Sequence, residues 1–80
     1  HSAPAQGFDF IFADPPYALK ELPEVPELVF KRDLLRDGGI FVMEHPKTND
    51  FSGLPYFYQH RVYGSVNFSI FIKEEEKTDA

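Results

Sequence analysis

The sequence feature that most restricts the fold is an apolar run that stops at two consecutive prolines. Residues 8–13, Phe-Asp-Phe-Ile-Phe-Ala, are apolar at five of six positions. A continuous apolar run of this length is typical of an inner strand of a parallel sheet, buried on both faces. Pro15 and Pro16 lack a backbone N–H and cannot continue the ladder. We therefore predict a buried parallel strand that ends at Asp14 in a rigid turn.

A helix and a second strand are predicted after this turn. First-turn prolines, an apolar stripe at helical spacing and basic residues near the far end predict a helix at about residues 24–36, capped by Gly38. Residues 39–44 are a second continuous apolar run. The strand, helix and strand of residues 8–44 have the size of a right-handed βαβ unit.

The remainder of the chain predicts a loop and a hairpin. Residues 46–56 are rich in Pro, Gly, Asn, Asp and Ser, which indicates a loop with at most one helical turn. Residues 57–73 are interrupted only at Gly64, and Val66, Phe68, Ile70 and Ile72 alternate with Asn67, Ser69 and Phe71. This pattern predicts two antiparallel strands that turn at residues 63–65. The whole order is β-α-β-β-β.

Length and composition limit the class of protein. Eighty residues make one domain at most, and 42% apolar with 16% aromatic residues predicts a packed core. No apolar stretch has the roughly 20 residues of a membrane span, and no secretory leader is visible. The absence of cysteine excludes disulfides, a thiolate nucleophile and a Cys-based zinc site.

Charge separates a terminal segment from the body. Residues 74–80 carry four acids and one base, so −3 of the formal charge of −5 lies there and −2 on the rest. We predict a flexible lead-in at residues 1–7, a folded unit at 8–73 and an acidic disordered tail at 74–80. The negative net charge argues against nucleic-acid binding by this chain alone.

The segment whose residues are best suited to catalysis or ligand binding is Asp14-Pro15-Pro16-Tyr17. It follows the carboxyl end of a predicted parallel strand, where open α/β sheets bind their ligands. The plain alternative is a rigid turn in which Asp14 caps the strand and Tyr17 packs beside it.

Several segments resemble one enzyme family. Residues 8–17, Phe-Asp-Phe-Ile-Phe-Ala-Asp-Pro-Pro-Tyr, resemble the fourth strand and catalytic loop of S-adenosylmethionine-dependent amino methyltransferases. Residues 8–73 as a whole are similar to the RsmD family of bacterial 16S rRNA guanine-N2 methyltransferases. The further matches are Leu-Leu-Arg-Asp-Gly-Gly at 34–39, Met-Glu-His-Pro-Lys at 43–47 and Arg-Val-Tyr-Gly at 61–64.

The resemblance implies a fold and an activity. The expected fold is the C-terminal half of a Rossmann-like methyltransferase, an α/β unit whose mixed sheet has about four strands in the order 4-5-7-6 of the parent, strand 7 antiparallel, with one main helix. The implied activity is methyl transfer from S-adenosylmethionine to N2 of a guanine in 16S rRNA or the small ribosomal subunit, in the bacterial cytoplasm. The glycines at 7, 38, 39, 53 and 64 form no Gly-x-Gly cofactor loop. The chain alone is therefore expected to be inactive.

Residue chemistry and the resemblance together predict roles. Asp14 and the carbonyl of Pro15 would accept hydrogen bonds from the exocyclic amine and stabilise the charge that develops on it. Tyr17 would stack on a base that has left its helix, and Arg61 would contact the substrate. Asp14 and Pro16 would make partial contacts with the cofactor, whose main site is expected outside this chain.

Alternatives remain open from the sequence. DNA adenine-N6 methyltransferases share the four-residue loop, and methylation of a protein amide is disfavoured because that chemistry usually has Asn at the position of Asp14. The loop could also be a vestige in a non-catalytic interaction module. His45 and His60 with Glu44 make a weak metal site at most, so no metal is predicted. An exposed apolar edge at residues 8–13 predicts self-association.

Overall fold

A single mixed sheet organises the chain in the computed structural model, which describes residues 7–74. Its elements in chain order are β1 (Phe8–Ala13), a short 3₁₀ helix (Leu22–Glu24), α1 (Val25–Lys31), β2 (Leu35–His45), β3 (Phe57–Tyr63) and β4 (Val66–Ile72). The strand order is β1-β2-β4-β3, with β1 parallel to β2 and β4 antiparallel to both of its neighbours. The predicted α/β fold and strand order are confirmed. Residues 1–6 and 75–80, most of the predicted lead-in and tail, lie outside the described residues.

The helix is shorter than the sequence pattern predicts. It ends at Lys31, because Asp33 adopts a left-handed φ of 52° and turns the chain back toward the sheet. The carbonyl of Leu34 then accepts the N–H of Phe8 at 2.7 Å, so this residue already belongs to the strand pairing. The predicted extension of the helix to residue 36 is wrong. Gly38 is also not the helix cap, since it lies inside β2 with a φ of 81°.

A largely buried lysine forms hydrogen bonds at the start of β2. Lys73, with 14% of its side chain exposed, directs its Nζ at the carbonyl of Leu35 (3.0 Å) and the carboxylate of Asp33 (3.2 Å). The contact ties the end of β4 to the junction between α1 and β2. The carbonyls of Leu34 and Leu35 therefore already have partners in the sheet and at Lys73, and β2 begins four residues before the predicted residue 39.

The core lies on one face of the sheet, beneath α1 and the loop of residues 46–56. Phe41 of β2 and Phe71 of β4 are paired across the two central strands, fully buried, with ring centroids 5.4 Å apart. Phe30 of α1 packs against both rings at 6.2 and 5.7 Å. The other buried apolar side chains are Leu22, Val29, Leu35, Met43 and Phe51.

The opposite face of the sheet is largely uncovered. Phe10 and Phe12 of β1 are 55% and 50% exposed, so the prediction that both faces of this strand are buried is wrong within the described chain. The reason is topological: α1 and the 46–56 loop lie over the other face. Phe68 and Ile70 of β4 point to the same open face and are only half-buried, whereas the buried side of β4 carries Asn67, Ser69 and Phe71.

Within residues 7–74 the structure contains no helix with the length and apolar character needed to cross a membrane.

We propose that this chain self-associates through β1, because β1 is an edge strand with two half-exposed phenylalanines. Light scattering should show a mass that rises with concentration, and Phe10→Lys should lower that mass by placing a charge on the edge. Leu28→Lys, on the outer side of α1, is the matched control because Leu28 is 44% exposed. A wild-type chain that stays monomeric at high concentration contradicts the proposal.

Candidate functional site

The parallel pairing of β1 and β2 brings two acidic residues to the same edge of the sheet. Ala13 pairs with Met43 at the end of the ladder, and the next residues along the two strands are Asp14 and Glu44. Because both strands run in the same direction, their carboxyl ends meet at this edge. The structure therefore places Asp14 where the sequence predicts it. Its neighbour at this edge is Glu44, for which the sequence predicts no role at this site.

The two prolines shape the turn after β1. Pro15 is half-buried, and Asp14, Pro16 and Tyr17 are exposed. The carbonyl of Pro16 accepts the N–H of Leu19 at 2.9 Å, which closes the turn. The carbonyl of Pro15 precedes this turn, and the prolines contribute no N–H that would compete for it.

Tyr17 connects the turn to β2. Its hydroxyl donates to Oε2 of Glu44 at 2.9 Å, a contact between residues 27 positions apart. The ring remains 48% exposed and open to a partner on its free face. The hydrogen bond ties Tyr17 to the end of β2, so the turn that carries Asp14, Pro15 and Tyr17 lies at the same edge of the sheet as Glu44.

The phenol is held in its protonated form. The hydrogen bond to Glu44 raises the pKa of Tyr17, and the partial desolvation of the phenol and the negative charges of Glu44 and Asp14 raise it further. Tyr17 is therefore a hydrogen-bond donor at neutral pH.

Arg61 lies on the same face of the sheet, farther from the turn. Glu44 pairs with Phe68 and Phe68 with Arg61, so the two charged residues are separated by two strand spacings, about 10 Å. The guanidinium donates to the Tyr63 hydroxyl at 3.0 Å and to Oε1 of Gln59 at 3.2 Å. The hydrogen bond to Tyr63 and the nearby phenol raise the pKa of Arg61, so it stays cationic.

An open hollow of about 440 Å³ adjoins Arg61 on this face. It is lined by aromatic, aliphatic and polar side chains of β2, β3 and β4: Val42, Tyr58, Gln59, Arg61, Tyr63, Phe68 and Ile70. Arg61 is thus not part of the Asp14–Tyr17 group, and the hollow that it borders is lined by none of the turn residues.

Both histidines among residues 7–74 make hydrogen bonds within the protein. His45 is fully buried; its Nδ1 donates to the Pro46 carbonyl at 2.8 Å, and its Nε2 accepts from the Ser69 hydroxyl at 2.7 Å. His60 lies 5.2 Å from it between ring centroids and donates from Nε2 to Oδ1 of Asn67 at 2.9 Å. In the part of the chain that the structure describes, no three His, Cys, Asp or Glu side chains are grouped to hold a metal ion.

The predicted cofactor contacts remain predictions. Asp14 and Pro16 are both exposed at the edge of the sheet, and an exposed carboxylate is chemically compatible with a positively charged methyl donor. Residues 7–74 contain no Gly-x-Gly segment that would cradle the rest of such a molecule.

Comparison with known proteins identifies relatives. A family model described as conserved hypothetical protein 95 matches residues 1–72. An uncharacterized methylase of Rickettsia prowazekii is 43% identical over 44 residues, which are 55% of this chain and 19% of that protein. Among solved structures, a candidate methylase of Haemophilus influenzae superimposes with a TM-score of 0.71 at 18% identity, over 92% of this chain and 48% of the other. A candidate methyltransferase of Escherichia coli gives a TM-score of 0.69 at 19% identity, over 88% and 40%.

The chain spans less than half the length of these relatives. A hypothetical protein of Thermus thermophilus is 31% identical with a TM-score of 0.60, and its match again covers 88% of this chain but 37% of the other. The matched region in these solved structures is the mixed sheet with its covering helix, which agrees with the predicted fold.

The link between Tyr17 and Glu44 can be tested through the ionisation of the phenol. Glu44→Gln removes the nearest negative charge and weakens the acceptor, so the pKa of Tyr17 should fall back toward 10.0. The ¹³Cζ signal of the tyrosines, followed by NMR against pH, measures this change, and Tyr17→Phe assigns the signal. Glu27→Gln, an exposed change on α1, should leave the titration unaltered. An unchanged Tyr17 titration in Glu44→Gln contradicts the contact.

The buried imidazole predicts a loss of stability in acid. Burial lowers the pKa of His45 from the usual 6.5, the hydrogen bond to Pro46 opposes this effect, and the nearby His60 adds to it. The unfolded chain therefore binds a proton at a higher pH than the folded chain, so the contribution of neutral His45 is complete above about pH 6.5 and is lost as pH falls through the lower folded-state pKa.

Urea unfolding between pH 7.5 and 5 measures this dependence. His45→Gln should lower stability at neutral pH and flatten its decline toward pH 5, because the titrating group is gone. His60→Gln is the matched control, since His60 is exposed and the decline should persist. Equal slopes in wild type and His45→Gln would show that this imidazole does not carry the effect.

Proposed function

Because this chain belongs to the methylase family described as conserved hypothetical protein 95, we propose that it forms part of an S-adenosylmethionine-dependent methyltransferase acting on N2 of a guanine in bacterial 16S rRNA. The observation that carries the proposal is the Asp14-Pro15-Pro16-Tyr17 turn at the carboxyl end of β1, with Tyr17 hydrogen-bonded to Glu44 of β2. The activity is proposed for the full-length protein.

The chemistry of the turn suits an exocyclic amine. The lone pair of such a nitrogen is delocalised into the base, so it must be localised before it can attack a methyl carbon. Two acceptors, the carboxylate of Asp14 and the carbonyl of Pro15, would bind the two amino hydrogens and favour the attacking geometry. As the N–C bond forms and the C–S bond breaks, they would also stabilise the positive charge on nitrogen.

The methyl donor would supply a methyl group on a positively charged sulfur. Asp14 and Pro16 are the residues of this chain that would lie against it, and Asp14 favours a cation there. After transfer the cationic nitrogen is a strong acid and loses its proton readily, through Asp14 to solvent. Asp14 therefore need not act as a strong base.

Tyr17 and Arg61 would bind the substrate. The exposed ring of Tyr17 is suited to stack on a guanine that has left its stem, because a base within a helix cannot reach the edge of a sheet. Arg61 borders the adjoining hollow and is cationic, which suits an RNA phosphate. The proposed partner is accordingly 16S rRNA or the small ribosomal subunit in the cytoplasm.

The role of Asp14 is tested in the full-length protein with labelled S-adenosylmethionine. Asp14→Ala should lower the rate of methyl transfer to small-subunit RNA by roughly 10²- to 10³-fold, the usual effect of removing a group that stabilises transition-state charge. Asp9→Ala, an exposed aspartate in the same strand, is the matched control and should retain activity.

The substrates in this assay separate the alternatives. Transfer to adenine in DNA instead of RNA would favour the adenine-N6 activity. The absence of transfer to either nucleic acid would favour a non-catalytic interaction module. Near-normal transfer by Asp14→Ala would refute the proposed mechanism.

A further inference from the structure

We propose that Glu44 accepts the ring N1–H of the target base and thereby selects guanine over adenine. The inference rests on the proposed function, because it assigns a specificity-determining residue to the same site. Glu44 is not among the residues for which the sequence predicts a role at this site; its place follows from the strand pairing and from its contact with Tyr17.

The position of Glu44 relative to Asp14 supports this role. The two residues follow the paired residues Ala13 and Met43, and neighbouring strands lie about 4.8 Å apart. Acidic side chains on two neighbouring strands, at the same edge of the sheet, can reach two adjacent donors of a single planar ligand. Asp14 faces the reacting amine in the proposed mechanism, so Glu44 faces the next group on the edge of the ring.

The carboxylate of Glu44 has acceptor capacity left after its contact with Tyr17. A carboxylate offers about four lone-pair sites, and the phenol occupies one of them on Oε2. Both salt bridges found within residues 7–74 belong to Lys73, so no ion pair in the described chain engages Glu44. Tyr17 holds the side chain in one orientation, which reduces the entropy lost when a ligand binds.

The bases differ at the atom that Glu44 would contact. Guanine has a ring N1–H next to its exocyclic amine. Adenine has an unprotonated N1 next to its amine, and cytosine an unprotonated N3. A carboxylate can only accept, so it binds the guanine edge and repels the lone pair of the other two. Hydrogen bonds to charged groups are worth about 1.5–3 kcal/mol, or roughly ten- to hundredfold in affinity.

The experiment compares nucleosides that differ at this edge. The full-length protein is titrated by calorimetry with guanosine and with 2-aminopurine riboside, which keeps the 2-amino group but lacks the N1–H. Wild type should bind guanosine roughly ten- to hundredfold more tightly. Glu44→Gln should bring this ratio close to one, because its amide can donate to the unprotonated N1. Glu27→Gln, the same change on the outside of α1, should keep the wild-type ratio.

A purely structural role for Glu44 would give a different result. If Glu44 only held Tyr17 in place, Glu44→Gln and Tyr17→Phe would weaken the binding of both nucleosides equally. The ratio of their affinities would then be unchanged. An unchanged ratio in Glu44→Gln, or equal binding of the two nucleosides by wild type, overturns the inference. The ratio is measured without turnover, so it is independent of the methyl-transfer assay on Asp14→Ala that tests the proposed function.

Discussion

The parallel pairing of β1 with β2 is the constraint on which the rest of the structure depends. Parallel neighbours cannot be joined by a tight turn, so the chain between them must cross over the sheet, and residues 14–34 do so with α1. That crossing covers one face with the core around Phe41 and Phe71. It also aligns the carboxyl ends of both strands, which is the reason Asp14 and Glu44 share an edge.

Much of the fold could be predicted because it depends on local chemistry. Two prolines end β1, and Gly64 with a φ of 61° turns the final hairpin where the sequence indicates. The end of the helix could not be predicted, since Asp33 takes a left-handed conformation that Lys73 holds from forty residues away. Nor does an apolar strand reveal which elements will cover it, and Phe10 remains half-exposed.

The candidate site likewise has features that could be predicted from the sequence and features that could not. Asp14 and Pro15 are where a strand followed by prolines must place them, so their position could be predicted. The Tyr17–Glu44 contact joins residues 27 positions apart, and the only signal for it in the sequence is that both lie near the carboxyl ends of predicted parallel strands. Arg61 pairs with Phe68 in register with the hairpin turn, and this register, which places it on the open face, is not revealed by the sequence pattern of β3.

The buried face of β4 carries two polar residues while its open face carries apolar ones, and this arrangement affects the register in which the strand pairs. A slip of one residue would turn Phe68 and Ile70 inward and move Asn67, Ser69 and Phe71 to the open face. The apolar side chains that become buried replace Phe71, so apolar burial alone does not oppose the slip. What opposes it is His45, whose buried ring nitrogen would lose the Ser69 hydroxyl and remain without a partner. The polar residues inside this small core thus specify the register of β4, and a more hydrophobic core would specify one structure less well.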